Sequence, residues 1–461
     1  MIFQNLKIFN KYFKNSSLLG EDFMKGIFKK ITNLDEHSKE VFFKSSSTVL
    51  IQIVGILARL LTSVFLGRTL GAAGLGDVNL INQVITIVMV FSMFGMDHVI
   101  LKNTAIGYGV KDFKLIGGTL FTALRVNVLI AIILTVLGVL SSGFISQIFK
   151  NPQLQTPIII VFLVIVPQTI GNIFSSSING YNKVWQSRLL KDFLTSLIVF
   201  IGVCLYWLLS IDVNLYSIII LYVVGRCITF IAATIYWKSL YKPIFLKSVF
   251  DKSMLKMAVP LLFVSATTLL ASSIDVLMLG WLSGSEKVGL YTVAARLVLF
   301  IAFFLQITNS AISPKIATFY SNKNFTEMSV MVKKVTFWLI IIGLLSALFF
   351  VALGKPILGF WGDGFVEAYT CLIILCIGQF VNVSTGCSGV LLIMCGHEKI
   401  FSYISTSFLI LNIILNYFLI IEYQEIGAAI ATTTAIVGEN IVRVIVAKYK
   451  TGILTLPFGL N

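Results

Sequence analysis

The sequence predicts an all-α integral membrane protein: twelve transmembrane helices in two six-helix parallel repeats around a central cavity. Three observations carry that prediction. The 461-residue chain is 57% hydrophobic and only 12% charged, about half the charge of a soluble domain, and its mean hydropathy is +0.95. The apolar residues gather into continuous runs of helical length, whereas the strands of a membrane barrel would alternate over about ten residues. The two halves of the chain also repeat one another at a fixed displacement.

The first six spans fall at 45–66, 78–99, 116–140, 157–174, 189–209 and 215–237. The second six fall at 258–279, 289–313, 335–353, 368–394, 401–421 and 427–447. Each is close to the ~20 residues that cross a bilayer. The expected organisation is therefore a basic N-terminal segment (1–44), an N-terminal bundle (45–237), a linker (238–257), a C-terminal bundle (258–447) and a tail (448–461). In the N-terminal segment Ile2, Leu6, Phe9 and Phe13 recur at helical spacing among Lys7, Lys11 and Lys14. That pattern suits an amphipathic helix on the inner leaflet, or a plain basic tail. Its scattered apolar residues do not make the single core of a secretory signal.

Lys and Arg number 35 against 20 Asp and Glu, a formal charge of +15. On so apolar a chain this excess does not mark a nucleic-acid-binding domain; it reports sidedness. Loops on the side of the N-terminus carry 25 basic residues, and the opposite loops only Arg68, Lys150, Lys287 and Lys355. Basic loops stay inside, so both termini are expected in the cytoplasm and the chain in the cytoplasmic membrane.

The repeat is written in glycines. Gly67, Gly71 and Gly76 follow the first span, and Gly280, Gly284 and Gly289 follow the seventh, each displaced by 213 residues; the same step carries Lys102 onto Lys315. Six spans per repeat give both halves one orientation, the parallel-repeat pattern of transporters with a cavity between halves.

Few residues offer chemistry of their own. The six cysteines lie in spans or at a turn and read as small apolar residues. His37, His98 and His397 lack ligand spacing, so neither a metal nor another cofactor is expected. No glycine loop followed by Lys-Ser/Thr occurs, which argues against an ATPase.

The arginines are more informative. Of seven, Arg59, Arg125, Arg226, Arg296 and Arg443 fall inside spans, while the 28 lysines keep to loops and span ends. An intramembrane arginine stays charged and offers a planar fork suited to phosphate. Arg443 reads as a snorkelling residue near a helix end. Arg59, Arg125, Arg226 and Arg296 read as anion ligands, with a structural anchor as the plainer alternative for each. Asp275 and Glu439 are the acids inside spans away from the last four residues at either end, and both are candidates for ion coupling. For Asp275 the alternatives are an ion pair with Arg59 or Arg296 and a proton or sodium coupling site. Polar stripes complete the pattern: Asn79, Asn82, Gln83 and Thr86 in span two, and Gln306, Asn309, Ser310 and Ser313 in span eight. Span seven adds Ser265, Thr268, Ser272 and Asp275, and span four Gln168, Asn172, Ser175 and Asn179. Such faces turn away from lipid. Spans one, two, seven and eight are expected to line a wet cavity, with spans three and nine outside.

Residues 65–76, reading Phe-Leu-Gly-Arg-Thr-Leu-Gly-Ala-Ala-Gly-Leu-Gly, resemble the turn after the first helix of polysaccharide flippases of the multidrug/oligosaccharidyl-lipid/polysaccharide exporter superfamily. Similar to that family too are residues 275–280, Val288 to Tyr291, Ala294 to Arg296, and the Pro314-Lys315-Ile316-Ala317 exit from span eight. The resemblance covers roughly residues 40–450. It implies two six-helix bundles, a V-shaped cavity, and transfer of an undecaprenyl-diphosphate-linked oligosaccharide from the inner to the outer leaflet. It also implies that cavity cations, here Arg59 and Arg296, attract the diphosphate. The end of the chain soon after span twelve favours the polysaccharide branch over the peptidoglycan-precursor branch.

The expected activity is thus alternating-access flipping for surface polysaccharide assembly, without catalysis. Expected partners are the lipid-linked oligosaccharide, membrane lipid, a coupling proton or sodium ion, and the polymerase and glycosyltransferases of the same process. A cation-coupled multidrug antiporter of the superfamily is the main alternative, though a cavity for organic cations should be acidic and aromatic. A membrane glycosyltransferase or polymerase fits less well, because the outer loops 141–156 and 354–367 are short and hold only Asp363 and Glu367 as acids.

Overall fold

In hydrocarbon every backbone N–H and C=O must find a partner within the protein, which leaves a long apolar segment little choice but helix. A computed structural model describes residues 36–241 and 250–457, with the side chains of 36–50 left out. The N-terminal segment 1–35, most of the linker and the last residues of the tail lie outside the described residues.

The described chain is helical throughout. Its first half contains α1 (Glu36–Met93), α2 (Met96–Gly109), α3 (Phe113–Leu140), α4 (Ser142–Ile148), α5 (Gln155–Phe162), α6 (Ile165–Gly180), α7 (Val184–Arg188), α8 (Leu194–Leu208) and α9 (Leu215–Leu240). A π-helical turn, Leu189–Phe193, joins α7 to α8. The second half contains α10 (Ser253–Ser283), α11 (Ser285–Ser321), α12 (Phe325–Leu358), α13 (Tyr369–Ser384), α14 (Ser388–Met394) and α15 (Glu398–Thr451).

Among the described residues nine stretches are long and apolar enough to cross a membrane, and the bent pair Pro152–Phe162 and Ile165–Gly180 makes a tenth. The bend there is 48°, and Pro167 explains it, because proline has no N–H to give the carbonyl four residues back. The 58 residues of α1 and 54 of α15 would each run for about 80 Å unbroken, well over twice a ~30 Å hydrocarbon core. Each is broken once, α1 at Gly71 (φ 69°) and α15 at Gln424 (φ 52°). The helices are therefore consistent with twelve crossings of a multi-pass membrane protein.

Two expected connections, 67–77 and 280–288, prove to be single-residue turns. Helix continues to Gly71 and to Gly284, and each glycine takes a positive φ with an extended ψ (69°, −173° and 89°, 178°) before helix resumes. A side chain is strained in that conformation and glycine is not. Residues 213 apart thus adopt one unusual backbone geometry.

The contacts between the halves obey the same displacement. A Cβ on Gly76 would lie 1.7 Å from the Ser285 carbonyl oxygen, and a Cβ on Gly289 2.0 Å from that of Ala72. Gly76 and Gly289 are repeat mates, as are Ala72 and Ser285, so the crossing of α1 on α11 is reciprocal. Asn79 Nδ2 donates to Thr292 Oγ1 at 2.8 Å, and this pair too is 213 residues apart. A residue that touches its own repeat mate lies on the two-fold axis. Further out, Arg68 Nε donates to the Phe360 carbonyl (2.7 Å) and Lys150 Nζ to the Leu282 carbonyl (3.1 Å). The Trp361 indole packs on Gly67 and donates to Ser63 Oγ (3.1 Å), while the Phe149 ring packs on Gly280. The glycine end of the molecule is closed by these matched contacts.

Candidate functional site: an arginine cluster behind the closed end

Inward from the glycine closure, α1 presents two asparagines one turn apart, and each holds an arginine. Asn79 Oδ1 accepts from Arg296 Nη2 of α11 at 2.6 Å, its own Nδ2 being committed to Thr292. Asn82 Oδ1 accepts from Arg226 Nη2 of α9 at 2.6 Å, its Nδ2 being committed to the Val78 carbonyl at 2.9 Å. With the amide nitrogens fixed, both oxygens can only face the guanidinium groups. Arg59, on the first segment of α1, stays exposed, with its guanidinium 4.9 Å from the Phe193 ring centroid and Nε donating to the Gly55 carbonyl (3.4 Å). Arg59, Arg226 and Arg296 all lie within electrostatic reach of the Tyr222 phenol, and Arg59 within reach of Arg296 and of Asp192. Among the described residues none of the three has a carboxylate within ion-pair distance.

The other predicted residues are placed as follows. Gln83 and Asn309 are half-buried, and Gln306, Ser310, Thr86 and Ser272 are exposed, so these stripes keep accessible polar faces. Arg125 does not join the cluster: exposed on α3, it lies over Phe121 of its own helix, 4.4 Å from the ring centroid. Glu439 pairs with Arg443, one helical turn on, and Arg443 also donates to Ser405 Oγ (2.9 Å). Asp275 pairs with neither Arg59 nor Arg296. It accepts from Tyr291 Oη (2.9 Å), Thr432 Oγ1 (2.8 Å) and Asn416 Nδ2 (2.7 Å). That shell of neutral donors comes from α11 and α15, and the buried Asn416 Oδ1 beside it has no partner. Sequence reasoning passed over Tyr222, Tyr291, Thr432 and the Asn412–Asn416 pair. An i, i+4 asparagine pair inside an apolar span was the available signal. No cluster of three or more His, Cys, Asp or Glu suited to a metal occurs among the described residues.

A family model described as "Polysaccharide biosynthesis protein" matches residues 42–320, which include the whole arginine cluster. The chain belongs to that family. Polysaccharide biosynthesis proteins of this type fall in the MOP superfamily of membrane transporters and flippases, and a MatE model matches residues 260–418. The chain is 27% identical over 183 residues to the capsular polysaccharide biosynthesis protein CapF of Staphylococcus aureus, an alignment covering 40% of this chain and 46% of CapF. It thus spans less than half the length of that relative. Its fold is like that of a multidrug resistance MATE transporter of the MOP superfamily in an inward-facing conformation. The TM-score is 0.73 at 12% identity, covering 86% of this chain and 94% of the other. It is also like the lipid II flippase MurJ in an inward-closed conformation, with a TM-score of 0.68 at 17% identity over 87% of each chain.

Proposed function

We propose that this family member flips an undecaprenyl-diphosphate-linked oligosaccharide from the inner to the outer leaflet of the cytoplasmic membrane, for surface polysaccharide assembly. The carrying observation is the cluster of Arg59, Arg226 and Arg296, none with a carboxylate within ion-pair distance among the described residues and only Arg59 within electrostatic reach of an acid, Asp192, beside exposed polar faces of α1, α10 and α11. Fixed positive charge suits a diphosphate, and a hydrated polar wall suits a sugar. An organic cation, the cargo of a drug antiporter, would be repelled by the same three guanidinium groups. Bundles at 45–237 and 258–447, joined by 238–257, would rock about the Asn79–Thr292 axis to expose the cavity to either side in turn. The deciding test is export: a deletion strain should regain surface polysaccharide on expression of this chain, and show no change in drug susceptibility. Recovered drug resistance without polysaccharide would replace this reading by the antiporter.

Sidedness has its own test. With both termini cytoplasmic, cysteine at the exposed Asp212 should react with an impermeant maleimide from outside intact cells, and cysteine at the exposed Lys323 should not. The reverse labelling would invert the topology.

Asp275 is the coupling residue in this reading, taking up a proton or a sodium ion during the cycle. Its support is the carboxylate ringed by neutral donors with no arginine near enough to pair. Asp275→Asn should fold and reach the membrane, yet flip at most a tenth as fast, with no response to an imposed ion gradient. Gradient-dependent flipping at the wild-type rate would remove Asp275 from coupling.

A further inference from the structure

Arg226 is built into the protein differently from the other arginines of the cluster. It is only 8% exposed, and among the described residues no carboxylate lies within ion-pair distance of it. Its Nη2 is held by Asn82, its guanidinium carbon lies 5.7 Å from the Tyr222 ring centroid, and its Nη1 is buried without a partner. A buried charge of that kind is costly enough that proteins pair it or give it a ligand.

The same residue lines a small cavity inside the first half of the chain. Its polar walls are Gln168 and Asn172 of α6, Lys191 of the π-helical turn, Thr195 of α8 and Thr229 of α9. Lys191 is answered by Asp97 at 3.4 Å; Arg226 is not answered. No acidic residue lines the cavity, so its walls carry excess positive charge. The Gln168 carbonyl oxygen is also buried without a partner. The oxygen and nitrogen of a glutamine amide exchange places by a flip, so this side chain can turn Nε2 inward as a second donor. The space is about 20 Å³. One water-sized sphere needs ~10–15 Å³, so a single small occupant fits and a diphosphate does not.

We infer that the cavity between α6, the π-helical turn and α9 binds a monatomic anion of chloride size, with Arg226 as its charged ligand. The ion neutralises the buried guanidinium and so fixes Arg226 against Asn82, on the helix that carries the Asn79–Thr292 axis contact. With Arg226 answered by the ion, Arg59 and Arg296 remain the charge offered to a substrate, and the test needs no substrate.

The test is thermal unfolding of the purified full-length chain in sodium chloride, sodium bromide and sodium gluconate at equal ionic strength. Chloride and bromide should raise the midpoint in a saturable way, and gluconate, too bulky for the cavity, should not. Gln168→Leu removes one donor, and the chloride needed for half the effect should rise about tenfold. Arg226→Gln should abolish the halide dependence, whereas Arg59→Gln should leave it intact. If Arg226→Gln does not fold, the Gln168→Leu shift and the wild-type salt series decide the matter. Equal midpoints in the three salts would show a cavity holding water and overturn the inference. A halide effect lost in Arg59→Gln, or unchanged in Gln168→Leu, would place the ion elsewhere and overturn it as well.

Discussion

Arg59→Ala/Arg296→Ala protein, normalised to its level in the membrane, should export no more than a few per cent of the wild-type amount of polysaccharide. In the proposed site each guanidinium gives the diphosphate a charge-assisted hydrogen bond worth ~1.5–3 kcal/mol. Losing one costs roughly ten- to a hundredfold in binding. The single alanine variants should therefore each lose most of the activity and the double variant nearly all. Arg→Lys keeps the charge and loses the fork, so it should keep partial activity at either position. Arg296 also holds Asn79, and its loss disturbs the axis contact as well as the site; Arg59 takes no part in that contact, its hydrogen bond being to its own helix and its guanidinium lying over the Phe193 ring. A selective defect in Arg59→Ala is accordingly the cleaner sign of contact with substrate. Full export by a well-expressed double variant would take both residues out of the mechanism.

Gly76→Val should be the most damaging single substitution outside the arginine cluster. A Cβ at Gly76 would lie 1.7 Å from the Ser285 carbonyl oxygen, and a backbone atom cannot rotate aside as a side chain can. Relief requires α1 and α11 to separate, so the closed glycine end cannot form. Overpacking typically costs ~1–3 kcal/mol, and here the cost falls on one conformational state in particular. Export below about a tenth of wild type is expected, together with faster maleimide labelling of a cysteine at Thr292. Gly289→Val should behave alike, because a Cβ there would meet the Ala72 carbonyl at 2.0 Å. Gly109→Val is the control, since nothing lies within 4 Å of a Cβ at that position. Export by Gly76→Val equal to that of Gly109→Val would mean that the closure is not part of the cycle.

Much of this architecture is legible in the sequence. Hydropathy located the spans, and the glycines 213 apart announced the repeat, because the close crossing and the two positive-φ turns each need a residue without a Cβ. The break at Gln424 was not legible, since glutamine gives no warning of a left-handed conformation. The pairing of each arginine was hidden for another reason. Arg226 meets Asn82 across 144 positions and Arg296 meets Asn79 across 217, and periodicity within one helix carries no information about its neighbour. The shell around Asp275 is likewise assembled from α11 and α15, so the acid was visible and its neutral donors were not. Arg125 shows the converse limit: it shares residue type and span membership with the cluster, but its helix turns it elsewhere.

The pair on the two-fold axis bears on how such a molecule could differ from a dimer of identical subunits. In a symmetric dimer a residue on the axis meets a copy of itself and has to be complementary to its own chemistry. Joining the two copies in one chain lifts that restriction. Position 79 can then be an asparagine that donates, and position 292 a threonine that accepts. The asparagine oxygen is thereby left free for Arg296, whose counterpart in the first repeat is the neutral Gln83. Covalent fusion thus lets a symmetric frame hold an asymmetric charge, with a guanidinium on one side of the axis and an amide on the other, so that a ligand lying across it would meet a polarity that no homodimer could offer.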